Sequence, residues 1–139
     1  MVKKEPNDSQ ADHARMIRER IGPFFYISRT KQELGGVSDL ELNHAFANDR
    51  ALQLITSDDA QLFPTFQFDL TSQKVHPHLV PLFEILLSTG VDPWLVAFWL
   101  TAPHPEYENQ RVIDVAKNIP TARSYIEAMA HEDASRWDV

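Results

Sequence analysis

The stretch from Val91 to Pro103 reads Val-Asp-Pro-Trp-Leu-Val-Ala-Phe-Trp-Leu-Thr-Ala-Pro, and it restricts the fold more than any other part of this 139-residue chain. Asp92 followed by Pro93 is a helix start: a capping carboxylate, then a proline whose missing N–H costs nothing at the first helical position. Pro103 ends what begins there. Between them Trp94 to Leu100 is apolar on every side. Such a helix must be covered all round, by the core of a small domain or by a partner.

The neighbouring segments offer that cover. Leu79, Leu82, Phe83, Leu86 and Leu87 recur at helical spacing, with Pro81 in the first turn and Gly90 as the stop. Val112 to Lys117 reads as a short helix. Pro120 to His131 reads as the last, with Ile119, Ala122, Ile126 and Met129 inward and an open-ended tail at Ala134–Val139. Upstream, Ala11–Ile21 has a helical stripe, and Phe24–Ile27 is a strand or a buried linker. Ser28–Leu34 and Ser38–Leu54 are helices around Gly35-Gly36. Ser28 is a cap for the first, and Ser38 with Glu41 forms a capping box for the second, whose apolar face is Leu42, Ala45, Phe46 and Leu52. Phe63–Asp69 alternates and is extended, with Pro64 keeping it off a central strand. The expected fold is mostly α: a small helical bundle, a degenerate helix-turn-helix-like N-terminal part and a short extended linker. The expected division is a disordered N-terminus at 1–10, a helical part at 11–62 and a helical domain with its tail at 63–139.

Residues 1–31 hold seven basic and four acidic side chains, and residues 32–139 hold six basic and sixteen acidic. An acidic body argues against broad phosphate-backbone binding, which needs clustered Lys and Arg. The basic N-terminal segment is expected to pair with that body rather than with nucleic acid. No stretch approaches the roughly 18 apolar residues of a membrane span, so no membrane partner is expected. The absence of a signal-peptide pattern after Met1 makes the cytoplasm the default. The chain has no cysteine, which removes disulfides, thiolate zinc sites and cysteine nucleophiles.

No enzyme motif is present, and no catalytic residue, cofactor or metal is expected. The four glycines lack phosphate-loop spacing. His76, His78 and His104 invite a metal site, but His76 and His78 flank Pro77 with no carboxylate at helical spacing from both, so they read as loop histidines. Glu106 and Glu108 read as an exposed loop rather than a catalytic pair. Thr30–Leu54 has the shape of a helix-turn-helix. Its second helix offers Asn43, His44, Asn48 and Arg50 toward DNA, beside Asp39, Glu41 and Asp49. Trp137, next to Arg136 near the chain end, is of the type enriched at interface hot spots.

From Phe63 to Asp114 the chain resembles the toxin-binding domain of Xre/MbcA/ParS-type antitoxins. Phe63-Pro64-Thr65-Phe66-Gln67-Phe68-Asp69 is similar to the segment that precedes this domain in some members. Pro93-Trp94-Leu95-Val96-Ala97-Phe98-Trp99-Leu100-Thr101-Ala102-Pro103-His104-Pro105 is similar to the central helix and loop, and Ile113-Asp114-Val115 to the start of the next helix. Where family members often carry Gly-Gly this chain has Glu108-Asn109; where they carry a proline it has Val112; where they carry an asparagine between prolines it has His104. The resemblance implies a helical antitoxin that occludes the NAD-binding active site of a RES-domain toxin, that often forms a homodimer, and whose N-terminal part often binds operator DNA. It implies a toxin-facing surface on the last helix and tail, here Arg123, Ile126, Arg136, Trp137 and Val139.

Overall fold

The computed structural model of the chain describes residues 15–137. The backbone is helical over 15–20 (α1). Then come β1 (Phe24–Phe25), α2 (Ile27–Glu33), α3 (Asp39–Ala47), β2 (Leu54–Ile55) and β3 (Gln61–Pro64). A 3-10 turn at Thr65–Gln67 leads to β4 (Phe68–Asp69), β5 (Lys74–Val75), α4 (Val80–Leu87) and α5 (Pro93–Thr101). The hairpin of β6 (Pro103–His104) and β7 (Gln110–Arg111) precedes α6 (Val112–Asn118) and α7 (Arg123–Trp137). The fold is mostly helical, as expected. The segment 1–10 and the first residues of the expected helix at Ala11–Ile21 lie outside the described residues.

Local chemistry sets the α2–α3 corner. In α2, Gly35 N–H bonds Gln32 O and Gly36 N–H bonds Lys31 O, a Schellman stop. It requires the left-handed conformation that Gly35 holds at φ +88°. The Ser38–Glu41 capping box forms as expected at the start of α3. Ser28, however, is no cap: α2 begins one residue earlier and Tyr26 is its N-cap. α3 is also shorter than the expected Ser38–Leu54. Asp49 turns left-handed at φ +57°, and the N–H groups of Asp49 and Arg50 close a second Schellman stop on Phe46 and Ala45. Leu52 is therefore not on the helix; it is fully buried in the chain that follows.

The sheet order is β1-β3-β2, all antiparallel. Contrary to the expectation from Pro64, β3 is the central strand, with Phe25 opposite Phe63 and Leu54 opposite Leu62. Pro64 is tolerated because it is the last residue of the strand, beyond the end of the β2 pairing. There the side chain of Gln67 takes the place of a strand. Its Oε1 accepts from Leu52 N–H at 2.8 Å, and its Nε2 donates to Leu52 O at 2.8 Å and Pro64 O at 3.1 Å. Helix, strand, helix-turn-helix and hairpin in this order, with β1 beside the hairpin, form a winged helix. The division expected at 62/63 thus falls inside β3.

Two cores result. The smaller joins Leu42, Phe63 and Phe68 with Phe25, Ile27, Leu34, Val37 and Phe46. The larger draws on α4 to α7 and takes in Ile21, Leu52 and Leu54 from the winged helix. α5 lies within the larger one. Asp92 caps Trp94 N–H at 3.0 Å, and Val96, Ala97 and Leu100 are fully buried. Trp94 Nε1 donates to Ile55 O at 2.9 Å and Trp99 Nε1 to Asp133 at 2.7 Å. Arg20 of α1 donates to Phe98 O at 2.8 Å, one of the last carbonyls of α5, and lies over the Phe98 ring. The chain itself therefore covers this helix, except at Leu95, which is 39% exposed. Of the basic segment 1–31, Arg29 and Lys31 pair with Glu33 and Asp39 of the acidic body, as expected, while Arg20 meets a helix end instead.

Replacing Gln67 by Leu leaves the N–H and C=O of Leu52 without these partners inside the protein. A loss of about 2–4 kcal/mol is expected, read as a lower midpoint in thermal or urea unfolding.

Candidate functional site

The winged helix presents α3 outward. Leu42 is buried on its inner face, and Phe46 packs on Phe63 with ring centroids 5.3 Å apart. Leu40, Asn43, His44 and Ala47, spaced i, i+3, i+4 and i+7, form the exposed face. Asn48 closes the helix by donating to His44 O at 2.8 Å, and its amide also lies 3.2 Å from His44 Nε2. Of the four residues expected to face DNA, α3 and its cap thus bring Asn43, His44 and Asn48 together. Arg50 lies past the helix end, turned toward Glu84 at 4.0 Å.

Acidic groups surround this face, but most are engaged locally. Asp39 pairs with Lys31 at 2.7 Å. The Glu41 carboxylate accepts from Ser38 N–H and Oγ. At the tip of the β2–β3 hairpin, Asp58 accepts from the Thr56 hydroxyl, which holds its carboxyl below the usual range. Sequence inspection missed Leu40 and Ala47. The available signal was a leucine directly after the helix start, out of phase with Leu42, Ala45 and Phe46.

The residues expected to face a toxin are not brought together. α7 does not end at His131 in an open tail; it continues to Trp137. Ile126, Ala130 and Ala134 keep one stripe of it buried, and Trp137 packs on the same core. Ile126 is fully buried, so it cannot be a contact residue. Arg136 is exposed but folds back on Glu132 at 2.6 Å and Asp133 at 3.1 Å. Arg123 starts the helix with its Nε buried and unpartnered among the described residues. Val139 lies outside the described residues.

The histidines separate as well. The rings of His76 and His78 are 5.1 Å apart, whereas His104 packs between Tyr107 and Tyr125 with its Nδ1 accepting from Glu106 N–H. Among the described residues no group of three His, Asp or Glu is placed to hold a metal. Nor is any described helix long and apolar enough to cross a membrane.

The NMR structure of Rv2175c is similar to this one, with a TM-score of 0.64 and 20% identity over 81% of this chain and 81% of that chain. At that identity the likeness is one of fold. No protein-family pattern matches the chain, and no curated protein does.

Burial is the main cause that holds the His76 imidazolium below its ordinary 6.5, with the charges of His78 and Lys117 adding to it and Asp69 opposing. The unfolded chain therefore takes up this proton first. Stability is expected to be full above about pH 6.5 and to fall as pH drops below it. Unfolding midpoints between pH 7.5 and 5 check this, and His76→Gln should flatten the decline.

Proposed function

We propose that the protein is a non-enzymatic, DNA-binding transcriptional regulator whose α3 enters the major groove. The observation that carries this reading is the outward face of α3 in a winged helix, with Asn43 and His44 where a recognition helix holds its base-reading side chains. The electrostatics set its character. Residues 27–64 hold three basic and six acidic side chains. The phosphate contribution is therefore small, and specificity rests on base contacts.

A second reading, capture of a RES-domain toxin, has a specific observation in its favour. Glu108 and Asn109, which stand where the resembled antitoxins often have Gly-Gly, both take the left-handed conformation, at φ +59° and +60°. The three resembling segments also meet around one core: Val112 N–H bonds Ala102 O, and Lys117 donates to Phe66 O at 3.0 Å. This supports kinship of backbone. A toxin surface would then lie on the exposed side of α7, with Arg136 but without Ile126 and Trp137.

Mobility shifts of the full chain on DNA flanking its own gene, at several salt concentrations, test the first reading. Binding with a shallow salt slope is expected. Asp39→Asn, which removes a repulsive charge at the start of α3, should tighten binding about two- to five-fold at low salt. Absence of binding to any sequence in a random-site selection overturns the reading. For the second, co-expression with a RES-domain toxin should restore growth, and Arg136→Ala should weaken the rescue. Deletion of Ala134–Val139 is unsuitable because Ala134 and Trp137 belong to the core.

A further inference from the structure

We infer that α3 is built to read A·T base pairs through adenine edges and thymine methyl groups, an inference that rests on the DNA-binding reading above. The exposed face holds one free carboxamide, Asn43, between two apolar side chains, Leu40 and Ala47. Leu40 is 80% exposed, the most open large apolar side chain among the described residues. It makes no packing contribution to either core. Leu40 to Ala47 spans about 10 Å along the helix, or roughly three base steps.

Each side chain has a defined counterpart in the major groove. An asparagine amide pairs with adenine N6 and N7, and small apolar groups pack on the thymine C5-methyl. Asn48 orients the remaining member. Its amide nitrogen donates to His44 O at 2.8 Å and lies 3.2 Å from His44 Nε2, which holds the ring in place. A ring N–H of His44 fits adenine N7 and thymine O4, and guanine N7 and O6 equally, so the A·T reading rests on Asn43 and the two apolar side chains. α3 lacks the bidentate donors that most often read guanine: it contains neither Arg nor Lys, and Arg50 lies past its end, 4.0 Å from Glu84. Guanine is recognised most often by a bidentate Arg or Lys.

Random-site selection with the full chain, followed by fluorescence anisotropy on the selected duplex, tests the inference. The selected core should be A·T-rich. Replacing its thymines by uracil removes only methyl groups, and should weaken binding about three- to four-fold per contacted methyl. The same replacement should have a smaller effect on the Leu40→Ala protein, by the share of the methyl contact that Leu40 supplies. 7-Deazaadenine, which lacks the N7 acceptor, should weaken the wild-type protein roughly 5- to 150-fold and the Asn43→Ala protein distinctly less. The base analogues leave the protein unaltered, so a folding defect cannot produce these losses. A G·C-rich core, or indifference of the wild-type protein to both analogues, overturns the inference while leaving DNA binding intact. Failure to select any site overturns the DNA-binding reading itself.

Discussion

The amide of Gln67 is the interaction on which the arrangement depends. Side-chain amides rarely serve as a rung of a sheet, yet here one bonds both backbone groups of Leu52 and the carbonyl of Pro64. It lets β3 end in a proline without leaving orphaned polar groups inside the protein. The backbone carbonyl of Gln67 accepts from His76 N–H at 2.7 Å, so the same residue ties the winged helix to the segment leading into α4. Leu52 and Leu54, fixed from this side, enter the core of the helical bundle.

Around that joint distant elements are bound by single polar atoms of large side chains. Trp94 and Trp99 bury most of their rings and spend their one N–H each on a distant element, Ile55 in the hairpin and Asp133 in α7. Arg20 closes the far end of α5. An all-apolar helix in a chain of this size is therefore a structural axle. The two proposed readings rest on the exposed faces of α3 and α7.

Those surfaces differ in what they offer. On α3 the outward residues are small, polar or singly apolar, and the nearest acids are satisfied by Lys31 and Ser38. On α7 Arg136 pairs with Glu132 and Asp133 of the same helix. For the proposed DNA-binding reading, so little positive charge favours sequence-selective contact over non-specific tracking along phosphates.

Much was legible along the chain because it depends on short-range chemistry. The Asp92–Pro93 start, the Ser38–Glu41 box and the glycine stop of α2 each involve residues within one helical turn, so sequence alone determined them. The helix-turn-helix and the exposure of Asn43 and His44 followed from the same periodicity. What the tertiary structure decided is everything that rests on distant partners. Leu52 left the helix because Gln67, 15 residues away, satisfies its backbone. Pro64 entered a central strand for the same reason. The last helix outran its expected end at His131 because Ala130, Ala134 and Trp137 find cover in a core assembled from the whole chain. Propensity ends where a partner from elsewhere in the sequence supplies the missing hydrogen bond or the missing apolar wall.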